Sequence, residues 1–365
     1  MDLNIRKILN MKGGVKRDDL IKELQSCDLP VIIYGTGRFA RASAETLVAH
    51  GVLIFGFVDR PEYYHKGKTV VVEGNGYPCF SRSDLSPLPQ EYALLYGFID
   101  ATTMAEELDF FPGAKIYGYL DGYQPHFMER DFFEKNQHIL EQLAEDLCDA
   151  ESCDVLKAYL HSRLTGDVIP LGRLKHDEKY LYDWQLLNLQ DHDVFVDGGA
   201  FTGDTVKEIE DFTQGRTQLE IFAFEPDASN LMKLLQNFSV EVLGRLHVMP
   251  FGLFDKDEKL SFAANGTMGS AFHKHGEDVV SVIALDQHKT FSDVSAIKMD
   301  IEGSELAALR GAEQLIRKNH PRLAVCIYHR SQDIVEIYQF LRQFEYRFYL
   351  RQHAFSAEET VLYAI

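Results

Sequence analysis

The chain has 365 residues, 45% hydrophobic and 25% charged, the proportions of an ordinary globular protein with length enough for two domains. Its 37 basic and 56 acidic side chains leave a formal net charge of −19, which argues against a nucleic-acid substrate, because neutralising phosphates needs a basic face. No run approaches the roughly 18 apolar residues of a transmembrane helix, and the opening MDLNIRKILNMKGG lacks an apolar core of signal-peptide length.

Residues 3–25 read as a polar-rich helix. Val31–Tyr34 is a buried-type strand, and Gly35-Thr36-Gly37-Arg38-Phe39-Ala40 follows it. Arg38–His50 has helical apolar spacing and stops at Gly51. Leu53–Val58 is a second apolar strand ending in Asp59. This is a βαβ unit carrying G-x-G-x-x-A, with an acid at the tip of its second strand. Gly35, Gly37, Arg38 and Asp59 are therefore candidates for binding a nucleotide, a nucleotide-sugar or NAD. The same residues also suit a plain tight turn with a solvent-facing acid. Tyr92–Ile99 and Lys115–Leu120 read as further strands around a helix at Thr102–Phe111. The resulting Rossmann-like domain spans 1–122. On YGTGRFA and FVD it resembles the nucleotide-sugar-binding N-terminal domain of bacterial sugar acyltransferases.

Residues 123–178 read as a helical connector with a solvated amphipathic face, closing in a loop at Arg163–Lys175. Five scattered cysteines, an odd number, fit reduced thiols and a cytoplasmic setting. Cys148 and Cys153 have no matching Cys/His pair nearby, so no metal is expected there.

The third region, 179–365, opens with YLYDWQLLNL and the sole tryptophan, Trp184. Tyr182 is a candidate lid. Val194–Thr205 (VFVDGGAFTGDT) reads as strand, glycine turn and helix start. The glycines let the backbone pass close under a ligand, and the helix at Asp204–Phe212 offers free N–H groups to an anionic moiety. Glu220–Phe224 is a strand ending in Glu225-Pro226. A carboxylate there, one βαβ unit after Asp197, can take both hydroxyls of a ribose. A helix (Asp227–Phe238) and a third strand (His247–Phe251) lead to Gly252-Leu253, where such folds pack a base. Leu260–Ala264 and Val279–Leu285 read as an inserted hairpin. Its loop carries His273 and His275 and invites a lid, substrate or metal role.

Ala296–Ile301 (AIKMDI) alternates apolar and charged residues. Lys298 inside a central strand needs a partner, and Asp300 lies two residues on, on the same face. Ser304–Lys318 reads as one amphipathic helix, Leu323–Tyr328 as a fifth strand ending in His329, and Asp333–Phe344 as a helix. Arg347–Leu350 and Thr360–Ile365 are the last strands. The order predicts a seven-stranded doubly wound sheet whose final strand runs antiparallel to its neighbours. Asp197, Glu225, Gly252, Asp300 and His329 all fall at predicted strand tips, hence along one cleft. Asp300, Glu302 and His329 are candidate proton acceptors, His329 having the best-placed ordinary pKa. Lys298 joins them as a charged neighbour, and His353 is a weaker alternative.

From about Tyr180 onward the chain resembles the FkbM family of S-adenosylmethionine (SAM)-dependent methyltransferases. The resemblance rests on VFVDGGAFTGDT, AFEPD, GLFD, Gly269-Ser270, Leu285-Asp286, IKMDIEGSELAALRGA, CIYHR and FYLRQH. It implies a class I methyltransferase fold, SAM as methyl donor, and O-methylation of a sugar, glycan or secondary-metabolite hydroxyl. It also implies a cofactor site at Asp197, Gly198, Gly199, Ala200, Phe201, Thr202, Gly203, Asp204, Thr205, Glu225, Pro226, Gly252 and Leu253, with no metal. Phe201 departs from the asparagine of many members, and only a subset of the family carries the N-terminal domain. The alternatives are an NAD-dependent oxidoreductase using Gly35, Gly37 and Asp59, or a non-catalytic SAM or nucleotide-sugar sensor or scaffold.

Overall fold

The computed structural model describes residues 5–9, 17–97, 110–117, 130–165, 169–176, 179–214, 218–238, 242, 244–263, 271–272, 278–354 and 358–365. Near the N-terminus, β1 (Val31–Tyr34), β2 (Ile54–Asp59), β3 (Thr69–Val72), β4 (Asn75–Ser81), β5 (Tyr92–Tyr96) and β6 (Ala114–Tyr117) form one sheet. Their order is β3-β4-β2-β1-β5-β6, parallel except for the β3–β4 pair. β1 is buried along its whole length, as its VIIY sequence demands. The helix Arg38–Ala49 crosses from β1 to β2. The β3–β4 hairpin is an addition to the four strands expected there. It turns at Glu73 and Gly74, with φ of 48° and 80°, the paired positive angles of a two-residue hairpin turn. Most of the expected helix Thr102–Phe111 lies outside the described residues.

The second sheet holds β7 (Val194–Gly198), β8 (Glu220–Phe224), β9 (Leu246–Met249), β14 (Ala296–Met299), β15 (Arg322–Cys326), β16 (Phe348–Gln352) and β17 (Thr360–Ala364). The order is β16-β17-β15-β14-β7-β8-β9, and the final strand β17 runs antiparallel to both neighbours, as the element order predicted. Alternate residues divide between two cores: Val196, Ile297 and Val325 face one side, Phe195, Ala296 and Ala324 the other.

The insert is larger than a hairpin. β11 (Glu258–Ala263) and β13 (Asp278–Ile283) pair antiparallel, with β10 (Gly252–Leu253) and β12 (Ala271–Phe272) flanking them in a four-stranded sheet. The single helix expected at Ser304–Lys318 is two, Glu305–Arg310 and Glu313–Asn319. A Cβ at Gly311 would stand 2.0 Å from the Phe254 carbonyl oxygen, so the chain breaks step where it passes that loop.

The connector packs as part of the second core rather than only covering it. Leu143, Leu156 and Tyr159 are fully buried there, and Ile5, Ile8 and Leu9 from the chain start join them. The expected loop at Arg163–Lys175 contains the end of the helix Ala150–Thr165 and a short helix, Ile169–Gly172. From the long helix, Tyr159 Oη donates to the Ile327 carbonyl at 3.0 Å and Arg163 Nη2 to the Tyr328 carbonyl at 3.0 Å. The connector thus fixes the backbone that presents His329. Among the described residues no helix is long and apolar enough to cross a membrane.

Candidate active site

The loop after β7 is set by close backbone contacts. Gly199 has φ 75°, and a Cβ there would lie 1.8 Å from the Asp300 carbonyl oxygen, so only glycine fits. The N–H groups of Gly199 and Ala200 both donate to the Phe224 carbonyl, at 3.0 and 2.9 Å. Phe201 takes φ 45°, a left-handed conformation that asparagine or glycine adopts at lower cost. Its departure from the family residue therefore leaves strain in the turn, on the order of 1–3 kcal/mol. Gly203, at φ 86°, caps the helix Asp204–Thr213.

Asp197 and Lys298 are register partners on β7 and β14. Their side chains are 0% and 2% exposed, and Lys298 Nζ lies 3.1 Å from Asp197 Oδ1. The same ammonium donates to the carbonyls of Gly198 (3.2 Å) and Gly199 (2.9 Å). Burial acts to lower the Lys298 pKa, but Asp197 and Asp300 more than reverse it, so the lysine stays charged. The expected partner of Lys298 was Asp300. Its direct contact is Asp197, and its work is to hold the glycine loop.

Glu225, at the tip of β8, is 6% exposed. Its Oε2 accepts from Phe201 N at 3.0 Å and its Oε1 from Asp227 N at 2.8 Å. Burial pushes its carboxyl up to about 7. Asp227 caps the helix Ala228–Asn237 by accepting from Ser229 and Asn230. Leu253 packs against Gly198, its Cδ1 3.1 Å from where a Cβ would sit, so the Gly252-Leu253 strand closes one wall of the loop. Around this loop Asp197 Oδ2, Asp204 Oδ1, Thr205 Oγ1 and Asn230 Oδ1 are buried without hydrogen-bond partners among the described residues.

Beyond β14 and β15 the chain gathers a second group. Asp300 Oδ1 lies 3.1 Å from Tyr328 Oη and 3.3 Å from His329 Nε2, and Asp300 Oδ2 lies 3.4 Å from Tyr182 Oη. His329 Nε2 is also 3.7 Å from Glu302, and its Nδ1 is 2.9 Å from Glu305. Tyr328 Oη reaches Glu359 at 3.2 Å. Burial acts to raise the Asp300 pKa and to lower that of His329. Each reverses the other: His329 and Lys298 drive Asp300 well below the carboxylate range, while Glu305 and Asp300 hold His329 cationic. Burial, reinforced by neighbouring carboxylates, pushes Glu302 up to about 7 and Glu359 up to about 8.

Asp300, Glu302 and His329 are thus one cluster, as their strand-tip positions predicted. His353 stands apart, its Nε2 2.9 Å from Tyr363 Oη. Sequence reasoning missed Glu305, Tyr328 and Glu359. Glu305 was legible as the second acid of EGSE; its Oε1 accepts from Ile301 N at 2.8 Å and so locks the turn. Glu359 had no local signal, because β17 inserts between β15 and β16 only in the folded sheet. His273 and His275 lie outside the described residues.

A seven-stranded sheet of this order, with a glycine loop after its first strand and acids at the tips of the next ones, is a Rossmann-like doubly wound sheet with its candidate ligand cleft at the strand ends. Residues 197–348 match the family model described as Methyltransferase FkbM domain. A crystal structure of Methyltransferase FkbM from Methylobacillus flagellatus KT is similar across 99% of this chain and 93% of its own, at 21% identity and a TM-score of 0.63. An rRNA methylase from Streptococcus thermophilus is similar across 49% of this chain and 89% of its own, at 16% identity and a TM-score of 0.31. A SAM-dependent methyltransferase from Aquifex aeolicus covers 49% of this chain and 85% of its own, at 12% identity and a TM-score of 0.29. No curated protein matches the chain.

Proposed function

We propose that this methyltransferase uses SAM and methylates a hydroxyl of a small-molecule acceptor, a sugar or glycan in the first instance. The observation that carries the reading is the pairing of two groups across Gly199: a loop rich in unpartnered buried oxygens, and an acidic mouth built on Asp300. The first group fits the cofactor. A ribose diol has Glu225 as acceptor, and an amino-acid ammonium has Asp197 and Asp204. When bound, SAM supplies an electrophilic methyl carbon on a cationic sulfur, which suits the surplus of carboxylates here.

The chain's own residues then have separable tasks. Lys298 positions the loop through Asp197 and the Gly198 and Gly199 carbonyls. Tyr182 and Tyr328 fix Asp300, and Glu305 fixes His329. With His329 held cationic, the proton acceptor is Glu302, whose carboxyl titrates near neutral pH and whose side chain is 29% exposed at the mouth. Ionised Asp300 orients the attacking hydroxyl, and positioning supplies much of the remaining rate. In the transfer that bound SAM would supply, its sulfur–methyl bond would break to leave a neutral thioether, and the proton of the methylated hydroxyl would go to Glu302.

The test is transfer of label from methyl-labelled SAM to a panel of hydroxylated sugars. O-methyl product is expected from the wild type. Glu302→Gln should lower turnover by about 10²–10⁴-fold with S-adenosylhomocysteine binding retained. Product methylated on nitrogen or carbon, or equal turnover in the variant, would remove the assignment.

A further inference from the structure

Tyr182 meets the acidic mouth from a stretch of chain outside the sheet. Residues 179–183 lead into the short helix Trp184–Leu187 and bond to the helix Asp204–Thr213, which begins at the glycine loop. That helix carries Asp204, Glu208 and Asp211 at the spacing of one face. Glu208 stands at the centre of the contact. Its Oε1 accepts from Leu181 N at 2.8 Å and its Oε2 from the indole Nε1 of Trp184 at 3.0 Å. One carboxylate thus grips the chain on both sides of Tyr182. Further along the helix Asp211 accepts from Tyr180 Oη at 2.7 Å and pairs with Lys179. The Tyr180 ring meets Phe212 edge-on, their centroids 5.7 Å apart.

The two bonds of Glu208 are demanding ones. Trp184 is 2% exposed, and a buried indole N–H needs an acceptor. Two N–H donors, one on each oxygen, are matched by a carboxylate, whereas an amide turns an N–H of its own toward one of them. Burial pushes the Glu208 carboxyl up to about 7, although both donors act to lower it.

Tyr182, itself 3% exposed, carries the effect of this clamp into the mouth. Its Oη lies 3.4 Å from Asp300 Oδ2, and its ring centroid lies 5.6 Å from Lys298 Nζ. Asp183, next in the chain, is tied to the sheet separately. Its N–H donates to Tyr363 Oη at 2.8 Å, and its Oδ2 accepts from Arg351 Nε at 3.2 Å. Those bonds keep the segment attached when Glu208 is changed, and leave the seating of Tyr182 to Glu208.

We propose that Glu208 is a positioning residue: by clamping Leu181 and Trp184 to the helix after the glycine loop, it seats Tyr182 on Asp300 and so sets the carboxylate that orients the acceptor. It acts through Tyr182 and not on the substrate. The consequence for turnover rests on the methyl-transfer reading of Asp300; the clamp itself does not.

The experiment uses Trp184, the sole tryptophan, as its probe. Full-length wild type, Glu208→Gln, Tyr182→Phe and the double variant are compared at pH 8. The readouts are acrylamide quenching of the tryptophan fluorescence, single-turnover methyl transfer from labelled SAM to the panel of hydroxylated sugars, and calorimetric affinity for S-adenosylhomocysteine. Glu208→Gln should raise the quenching, slow single turnover by about 10–100-fold and leave S-adenosylhomocysteine affinity unchanged. Tyr182→Phe should slow turnover with the quenching of wild type, and the double variant should be no slower than the slower single one, because both changes act on one contact. Glu208→Asp, which keeps the charge and draws it back by one methylene, replaces Glu208→Gln should that variant fail to fold. Wild-type quenching and rate in the folded Glu208 variant would overturn the proposal. So would rate losses that multiply in the double variant, or a loss of S-adenosylhomocysteine affinity that accounts for the slower turnover. Absence of methylated product from wild type, with Trp184 released in Glu208→Gln, would remove the methyl-transfer reading and leave the clamp standing.

Discussion

The chain contains two glycine loops after parallel strands, each facing an acid at the tip of the next strand, and the two acids are bonded differently. At the first, Asp59 is paired with Lys68, and Arg60 and Arg82 stand beside it. At the second, Glu225 accepts from the main-chain N–H groups of Phe201 and Asp227 and from the Asn230 side chain, and Asp197, Asp204 and Asp300 lie near one buried lysine. The same strand–loop–helix pattern thus binds its acid to a lysine ammonium in one place and to main-chain N–H groups in the other. The motif supplies the geometry, and the neighbours of the acid differ.

The largest expected effect separates the two lysines. Lys298→Ala leaves Asp197 buried without its counter-charge and should lower unfolding stability by about 3–5 kcal/mol, read from denaturant midpoints. Lys68→Ala acts on a pair nearer solvent and should cost about 1–2 kcal/mol, roughly the value of one charged hydrogen bond, without changing S-adenosylhomocysteine affinity. Equal losses in the two variants would show that the crevices are not electrostatically distinct.

Asp300→Asn removes the charge shared by His329, Tyr182 and Tyr328. It should reduce turnover by about 10²–10³-fold while S-adenosylhomocysteine still binds, which a comparison of single-turnover rate and calorimetric affinity checks. The smallest effect is a pH dependence. Glu225 in the ligand-free fold titrates at about 7, raised by burial from its ordinary 4.5. Ribose hydroxyls bond the ionised form, so affinity for S-adenosylhomocysteine should rise from pH 6 toward pH 7 and level off above it. Glu225→Gln should flatten that profile. The linkage sign for folding is opposite: a raised carboxylate pKa makes the ligand-free fold lose stability as pH rises from 4.5 through 7.

Much of this was legible in the sequence because it is local. VFVDGG, IFAFE and AIKMD each declare a strand by apolar run or alternation and an acid by position, so the strand tips of the second sheet were readable. Lys298 was readable as a charge needing a partner, but not which one, because its partner Asp197 is set by strand register between residues 101 positions apart. The break at Gly311 has no local signal because the amphipathic pattern continues through it, while the close Phe254 carbonyl and the bonds of Asp286 to Gly311, Gln314 and Leu315 come from elsewhere in the chain. The β3–β4 hairpin has a local signal in VVVEGNGY, a β-branched run followed by a glycine turn. The ionisation of the mouth was not readable at all. His329 looks like a base by its ordinary pKa, and becomes a fixed cation only when Glu305 and Asp300 close on it.

The most direct measurement is calorimetric titration of wild type and Glu225→Ala with SAM and S-adenosylhomocysteine. Both ligands should bind the wild type, with an affinity loss of about 2 kcal/mol, roughly thirtyfold, in Glu225→Ala. Absence of binding to correctly folded wild type, or undiminished affinity in Glu225→Ala, would contradict the assignment of the second crevice as the SAM site.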